Sequence, residues 1–284
     1  GFFLCTNQKR YVKKPILLIG TVVCYNVLFY GIEMIITQNF SVVLLLKQSL
    51  PINYYVWLYS TLYLISPYIN ICLNQLDKRK FQFFCIILTC LFIIWPTIVG
   101  MYTGMTGTVI QQISTISSVD HGSGYTIIQF IVMYIFGAYI RKYSINLSGK
   151  FCLLIYLMSS MVVYVLMHLS MAALEYCNLF VVLASFGLVV FFVKRKIKES
   201  AFVSKLASVS FNVFLVHGFL MPYLKYFPLD YFLREGTLLQ AMIASVIVVL
   251  ILYMASIAIS ITSKFVMNPI IGIISKFLYW EFSV

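Results

Sequence analysis

The sequence predicts an all-α protein, a polytopic transmembrane bundle of about eight helices, and two observations lead to this prediction. Hydrophobic residues make up 62% of the 284 positions, and charged residues make up only 10%. Soluble proteins average about 45–50% apolar and about 25% charged residues, so this chain has too few charges to cover a soluble surface. The second observation is a series of apolar stretches of about 20 residues, the length that crosses a bilayer core. A soluble enzyme and a disordered chain are both excluded.

Eight apolar stretches are long enough to cross the membrane. Each is predicted to be a helix, because backbone groups that face lipid must satisfy their hydrogen bonds within the segment. The predicted spans are 15–36, 54–74, 81–101, 125–143, 151–169, 177–193, 206–224 and 238–262. Together they make residues 1–284 a single membrane-embedded domain. The tail 264–284 is too short and too amphipathic to span, and it is predicted to lie on the cytoplasmic surface unless it is simply an apolar terminus.

The basic residues fall mostly on one side of these spans. On that side they cluster at 9–14, 78–80, 141–150, 194–205 and 264–276. The other side keeps only Lys47, Lys225 and Arg234 of the 20 Lys and Arg. Loops rich in Lys and Arg are cytoplasmic, so the net charge of +12 reflects membrane topology and not nucleic-acid binding. The long outer stretches 37–53 and 102–124 are the expected entrance for an external ligand.

Motifs that would identify a chemistry from spacing alone do not occur. The seven cysteines contain no Cys-x-x-Cys pair and lie mostly inside apolar spans, so they are predicted to be buried thiols. The sequence has no Gly-rich phosphate loop, no Gly-x-Ser-x-Gly elbow and no metal-ligand spacing, and no metal site is predicted. Candidate residues must therefore come from polar groups inside the spans. Burying a polar group in the membrane costs free energy, so its presence there indicates a function by default.

The span 54–74 carries a stripe of aromatic and polar side chains on one helical face. At spacings of three or four residues the stripe contains Tyr55, Tyr59, Tyr63, Ser66, Asn70 and Asn74. Such a face is predicted to point into the bundle and not at lipid. Tyrosines and amides suit a sugar ligand, and they equally suit packing between helices. The candidate substrate-binding residues of the stripe are Tyr59, Tyr63, Ser66 and Asn70.

Further candidates each have a simpler alternative. Glu33, near the outer end of the first span, is either a binding carboxylate or an interfacial group in contact with outer water. His217 is either a general base or proton relay, or only a hydrogen-bond donor between helices. Arg10, Lys13 and Lys14 either hold the phosphates of a cytoplasmic donor or set the topology and bind lipid headgroups.

Three stretches, in this order along the chain, carry a resemblance to a known family. They are Leu-Ile-Ser-Pro-Tyr-Ile-Asn ending at Asn70 after the aromatic run from Trp57, Gly-Ala-Tyr-Ile-Arg-Lys-Tyr at 137–143, and Ser-Val-Ser-Phe-Asn-Val-Phe-Leu-Val-His at 208–217. They resemble a middle helix, a helix end and the Ser-x-x-Ser-Phe-Gly-x-Tyr-Leu-x-His signature of the acyltransferase-3 family. Members of this family are bacterial integral-membrane O-acyltransferases that modify cell-surface sugars. The resemblance extends over nearly the whole chain.

The resemblance implies a fold of about ten helices with the N-terminus inside. Because the chain starts at Gly1 and its first residues resemble the end of a helix, we expect an N-terminal truncation that removes two helices. The implied donor is cytoplasmic acyl-CoA, usually acetyl-CoA. The implied acceptor is a hydroxyl of a capsular polysaccharide or exopolysaccharide, or of its lipid-linked unit, at the bacterial cytoplasmic membrane. The implied partners are therefore acyl-CoA, the polysaccharide and the bilayer, with no nucleic acid.

The resemblance also implies roles for the candidate residues. Arg10, Lys13 and Lys14 would hold the CoA phosphates, although Arg10-Tyr-Val-Lys13 matches the family's Arg-x-x-Arg motif only loosely. The tyrosine stripe would line the passage between donor and acceptor, and Glu33 would lie near the acceptor. His217 would orient the family's principal histidine or relay protons to it. That histidine belongs to a first helix that this chain lacks, so the chain as given is expected to be inactive.

Two other functions share these features. A non-enzymatic exporter or flippase for the same polysaccharide would have the same topology and polar interior, but it would consume no acyl-CoA. A structural membrane subunit would tolerate the loss of Arg10 and Lys13. The sequence therefore predicts an O-acyltransferase, with an exporter as the alternative.

Overall fold

The prediction of an all-α polytopic bundle is confirmed. The computed structural model describes residues 1–6, 9–50, 54–108, 124–143, 145–195, 200–221, 224, 229–277 and 281–283. Within these ranges seven helices are long and apolar enough to span a membrane, and they correspond to seven of the eight predicted spans. The remaining predicted span, 125–143, is a helix of 17 residues, Ile127–Tyr143, at the lower limit of the spanning length. Most of the predicted outer stretch 102–124 lies outside the described residues.

Eleven α-helices are found in the described residues. In chain order they are α1 (Lys13–Thr37), α2 (Val42–Ser49), α3 (Tyr54–Asn74), α4 (Lys78–Thr89), α5 (Trp95–Thr106), α6 (Ile127–Tyr143), α7 (Gly149–Met167), α8 (Leu179–Lys194), α9 (Ala201–Leu220), α10 (Leu229–Arg234) and α11 (Leu238–Phe277). A π-helical turn, Cys90–Ile94, joins α4 to α5, and a 3₁₀ turn, Met171–Leu174, precedes α8. Two short strands, β1 (Lys9–Tyr11) and β2 (Glu281–Ser283), pair in antiparallel fashion.

The chain divides into two compact units, which are described separately. The first unit consists of Gly1–Pro15, Tyr54–Ile197 and Trp280–Val284, and the second consists of Ile16–Asn53 and Lys198–Tyr279. The first unit therefore contains α3 to α8 and both strands. The second contains most of α1, together with α2 and α9 to α11.

The core of the first unit surrounds α6. Its buried cluster takes residues from α3, α4, the π-helical turn, α6 and α8, namely Leu73, Phe81, Leu88, Ile93, Val132, Ile135, Ala138 and Val182. Burial of this apolar surface between helices holds α6 in place although the helix is short. One consequence is that the polar stripe of α3 lies against α6.

The close approach of α7 and α8 depends on Gly187. A Cβ atom at this position would lie 2.7 Å from the carbonyl oxygen of Cys152 on α7. Cys152 and Val190 are buried in the same small cluster. Small residues allow membrane helices to pack backbone against backbone, which is the packing seen here.

In the second unit, buried polar groups connect the helices. The hydroxyls of Tyr25 on α1 and Ser263 on α11 are 3.0 Å apart. The Asn26 Nδ2 donates to the carbonyl of Leu50 at 2.9 Å, which satisfies an acceptor at the end of α2. The rings of Phe29 and Phe219 stack at 4.4 Å and join α1 to α9.

Helix α11 is longer than its predicted span. It has 40 residues and continues through Pro269 to Phe277, a length of about 60 Å at 1.5 Å per residue. The predicted tail 264–284 therefore begins inside this helix and not after it. Its placement on the cytoplasmic surface stays a prediction, and residues 278–280 and 284 lie outside the described residues.

Candidate functional site

The tyrosine stripe of α3 forms a stacked ladder in the first unit. The ring centroids of Tyr55 and Tyr59 are 6.0 Å apart with planes 11° from parallel, and those of Tyr59 and Tyr63 are 6.3 Å apart with planes at 29°. Phe130 on α6 meets the Tyr55 ring at 5.6 Å in an edge-on arrangement. Residues four apart lie above one another on a helix, so the sequence spacing accounts for the ladder.

Lys14 lies beside the Tyr63 end of this ladder. Its Nζ is 5.9 Å from the ring centroid of Tyr63 and 6.0 Å from that of Tyr11, within the reach of a cation–π interaction. The backbone N–H of Tyr11 donates to the Tyr63 hydroxyl at 3.3 Å. The predicted donor-binding and acceptor-binding residues therefore meet at Tyr63. Lys13 is half-buried, and the side chain of Arg10 lies outside the described side chains.

Ser66 forms a hydrogen bond to the backbone of α3. Pro67 has no N–H to donate to the carbonyl of Tyr63, four residues earlier. The Ser66 hydroxyl donates to that carbonyl at 2.8 Å, and the Ser66 side chain is fully buried. This bond replaces the backbone hydrogen bond that Pro67 cannot make. A role of Ser66 in substrate binding stays a prediction.

Asn70 joins three segments of the first unit. Its Nδ2 donates to the carbonyl of Leu4 at 3.0 Å, and its Oδ1 accepts a hydrogen bond from the Tyr134 hydroxyl at 2.7 Å. Asn70 and Tyr134 are each only 1% exposed. The amide therefore connects the N-terminal segment to α3 and α3 to α6, with both ends of the amide bonded.

A basic cavity of about 160 Å³, the inner cavity, lies at the ends of α3 and α6 that the charge distribution assigns to the cytoplasm. Its polar lining is Thr6, Asn70, Asn74, Arg141 and Lys142. The Lys142 Nζ donates to the carbonyls of Leu73 and Leu76 at 3.1 and 3.3 Å, where a cation is favourable at the C-terminal end of α3. The Arg141 guanidinium lies 5.1 Å from the ring centroid of Phe2. Such a lining suits a phosphate group.

A second cavity of about 380 Å³, the outer cavity, lies toward the opposite ends of the same two helices. Residues with polar or aromatic side chains in its lining include Tyr55, Tyr59, Gln129, Phe130, Tyr134 and Tyr176. The Tyr176 ring packs edge-on against Tyr125 at 4.7 Å, which extends the aromatic surface beyond the cavity. Tyr134 lines the outer cavity and Asn70 lines the inner cavity, so their hydrogen bond lies between the two.

Comparison with known protein families assigns the chain to a class of enzyme. The family model for the acyltransferase-3 acyltransferase domain matches residues 9–263. The chain belongs to the acyltransferase-3 family. The match includes all the helices that line the two cavities, and the resemblance seen in the three sequence stretches is confirmed. With its apolar helices, the protein is a multi-pass membrane acyltransferase. No match was found among curated proteins or among solved structures.

Two candidate residues of this acyltransferase, Glu33 and His217, belong to the second unit. Both side chains are exposed there, Glu33 on α1 and His217 on α9. The Nδ1 atom of His217 is 2.6 Å from the carbonyl oxygen of Phe214. A carbonyl can only accept, so in the neutral ring Nδ1 carries the proton and Nε2 is the basic nitrogen. The role of His217 in proton transfer stays a prediction.

Three residues of this acyltransferase's cavities were not singled out by the sequence pattern. Gln129 is a buried amide in the predicted span 125–143, and the rule that polar groups inside a membrane indicate function applies to it. In the sequence Arg141 and Lys142 contribute to the topology and to the 137–143 stretch that resembles the family, with no predicted role in a site. The fold places both in the lining of the inner cavity. Their proximity to Asn70 comes from the packing of α3 on α6, which spacing along the chain does not reveal.

Proposed function

We propose that this acyltransferase moves an acyl group, in the simplest case acetyl, from cytoplasmic acyl-CoA to a sugar hydroxyl of a cell-surface polysaccharide or its lipid-linked unit. The proposed location is the bacterial cytoplasmic membrane. The observation that carries the proposal is the pair of cavities on α3 and α6. The cavity at the predicted cytoplasmic end is basic, and the cavity toward the predicted outer end is lined by tyrosines. A basic cavity suits an anionic donor, and a cavity lined by tyrosines suits an uncharged acceptor.

Cations support binding of the donor at the inner side. CoA carries phosphate groups, which pair well with guanidinium and ammonium groups. Arg141 and Lys142 line the inner cavity. Lys14, on α1, lies beside the ring of Tyr63, which is on α3. Arg10 and Lys13 precede Lys14 in the chain and are proposed as further phosphate ligands.

The proposed reaction is an acyl transfer in which one bond replaces another. The acceptor oxygen attacks the thioester carbonyl, the C–O bond of the ester forms, and the C–S bond breaks. The hydroxyl proton passes to a base and then to the CoA thiolate, which leaves as a thiol. A sugar hydroxyl is a poor nucleophile near neutral pH, so base assistance contributes about 10²–10⁴-fold to such a step. His217, with Nε2 as its basic nitrogen, is proposed to orient the family's principal histidine or to relay this proton to it. Glu33 is proposed to lie near the acceptor.

The proposal is tested in inverted membrane vesicles from cells that express the intact gene and make the polymer. Inverted vesicles expose the cytoplasmic face to radiolabelled acetyl-CoA. We expect label to enter the polymer with release of one free CoA thiol per acetyl group. Lys14→Gln should raise the KM for acetyl-CoA about fivefold, the effect of losing a partly solvated ionic contact of about 1 kcal/mol, with little change in kcat.

The control variant is Lys150→Gln. Lys150 is exposed at the start of α7, on the same predicted side of the membrane and outside the lining of the inner cavity. Lys150→Gln therefore removes one positive charge from the cytoplasmic side, as Lys14→Gln does, without removing a contact to the donor. The KM of this variant for acetyl-CoA should equal that of the wild type. Polymer that reaches the outer face with neither label nor released thiol would contradict the proposal and favour the exporter.

A further inference from the structure

Gln129 contains a buried hydrogen-bond acceptor that receives no hydrogen bond from the described residues. The Gln129 side chain is 3% exposed and lines the outer cavity. Its Nε2 donates to the backbone carbonyl of Tyr176 at 3.2 Å. Because that carbonyl can only accept, the amide nitrogen must face it, and Oε1 is left without a hydrogen-bond partner in the part of the chain that the structure describes. Buried polar groups are nearly always paired, so an orphaned acceptor in a cavity wall indicates a missing donor.

Aromatic rings form the wall beside this acceptor. Tyr55 and Tyr59 stack nearly in parallel and line the same cavity as Gln129. Gly124, which has a φ of 89°, keeps the chain close to this wall, since a Cβ there would lie 2.7 Å from the backbone nitrogen of Cys177. The cavity volume of about 380 Å³ falls in the range of about 300–1,000 Å³ that small-molecule sites occupy.

These features restrict the chemistry of the occupant. Oε1 needs an O–H or N–H donor, which excludes the thioester carbonyl of the donor substrate because a carbonyl only accepts. The described side chains that line the cavity are uncharged, so none of them offers a charged partner to a phosphate or a carboxylate. Flat tyrosine rings offer an apolar surface with a polar tip, which suits a ring that presents C–H groups on its faces and hydroxyls at its edge.

We propose that the outer cavity is a pyranose subsite, in which an uncharged sugar ring lies against Tyr55 and Tyr59 and donates one hydroxyl hydrogen to Gln129 Oε1. The proposal rests on the proposed function, because it locates the binding site of the acceptor. Gln129 then acts as a specificity-determining residue. It selects an acceptor with a free hydroxyl at the position that reaches Oε1 and rejects one in which that hydroxyl is absent.

Binding is measured first, without any need for turnover. The intact protein is placed in lipid nanodiscs free of sugar detergents, and saturation-transfer NMR is recorded with the methyl glycosides of glucose, galactose, mannose and N-acetylglucosamine. We expect saturable transfer from the protein to ring C–H protons of at least one glycoside. Gln129→Met keeps the side-chain length and removes both polar atoms, and it should weaken that binding about tenfold, as the loss of a buried hydrogen bond does.

Two further variants separate binding from folding. Gln82→Met makes the same change at an exposed position of α4 and should leave binding unchanged. A protonated Gln129→Glu side chain can donate to the Tyr176 carbonyl and keeps an acceptor oxygen, so at a pH low enough to protonate it this variant should bind the glycoside more tightly than Gln129→Met does. Equal binding by Gln129→Met and wild type, or no saturable transfer to any of the four glycosides, would overturn the pyranose subsite.

Kinetics distinguish failure of this subsite from failure of the proposed function. If Gln129→Met raises the KM for the acceptor and leaves the KM for acetyl-CoA unchanged, both proposals stand. If acetyl is transferred but Gln129→Met changes only the KM for acetyl-CoA, the cavity holds the amide-bearing arm of the donor, and the subsite is overturned. If glycosides bind through Gln129 but no acetyl is transferred by the intact protein, the subsite stands and the proposed function fails.

Discussion

Proline inside a membrane helix leaves one carbonyl without its backbone donor, and in α3 that carbonyl belongs to Tyr63. Pro67 is buried within the helix, and the neighbouring Ser66 hydroxyl takes the place of the missing N–H at 2.8 Å. The arrangement keeps the Tyr63 ring in the ladder next to Lys14. Ser66, which was predicted from the polar stripe to bind substrate, therefore hydrogen-bonds to the backbone of its own helix.

This arrangement predicts a rescue. Ser66→Ala should lower the free energy of unfolding by about 1 kcal/mol, because the Tyr63 carbonyl loses its donor in a buried setting. Adding Pro67→Ala should restore most of that loss, since alanine has the backbone N–H that proline lacks. The measurement is the thermal midpoint of the protein in nanodiscs.

A matched control is Ser245→Ala on α11. The Ser245 hydroxyl also donates to a backbone carbonyl of its own helix, that of Ala241, at 2.8 Å. The residue at 245 is not a proline, so its own N–H can still serve that carbonyl after the hydroxyl is removed. We expect little change for Ser245→Ala, and an equal loss at both serines would contradict the role assigned to Ser66.

At the scale of elements, one buried hydrogen bond links α3 to α6 in addition to their shared apolar core. The Tyr134 hydroxyl donates to Asn70 Oδ1 at 2.7 Å between the two cavities. Double-mutant cycles of Tyr134→Phe and Asn70→Ala should give a coupling energy of about 1 kcal/mol, in the range that such bonds reach inside membranes. Tyr139→Phe on the same helix, combined with Asn70→Ala, should be additive, and coupling there would contradict the assignment.

The contact between α7 and α8 gives a second prediction at this scale. Gly187→Ala places a Cβ 2.7 Å from the carbonyl oxygen of Cys152, so the helices must separate. We expect a loss of about 1–3 kcal/mol in the free energy of unfolding, as for other overpacked sites. Gly20→Ala on α1 meets no atom within 4 Å and should be neutral or stabilising by up to about 1 kcal/mol. The measurement is the thermal midpoint of each variant in nanodiscs. Equal midpoints would contradict the close approach of α7 and α8 at Gly187.

Periodicity accounts for much of what the sequence predicted about these elements. Seven spans and the stripe of α3 follow from apolar length and a spacing of three or four residues, which are properties of a single helix. Gln129 beside the tyrosines, and Arg141 beside Asn70, depend on how two helices pack, and one sequence does not contain that information. The predicted span ended at residue 262 because the residues that follow are too amphipathic to span, whereas α11 continues through Pro269, which membrane helices tolerate, to Phe277.

At the scale of the whole molecule, the two cavities belong to one compact unit and share α3 and α6. The same pair of helices therefore carries a basic lining at one end and an aromatic lining toward the other. Positive residues concentrated on one side assign the basic end to the cytoplasm. This polarity is what the proposed transfer from an internal donor to an external acceptor requires.

We propose that the protein acylates a surface polysaccharide, and the O-acyl content of that polymer is the direct test of this claim. NMR spectra of the purified polymer are compared between a strain that carries the intact gene and a strain from which the gene is deleted. We predict that the O-acetyl signals disappear in the deletion strain while polymer yield is unchanged, and that the lost signals identify the acylated sugar position. An unchanged ester pattern, or loss of the polymer itself from the cell surface, would contradict the claim.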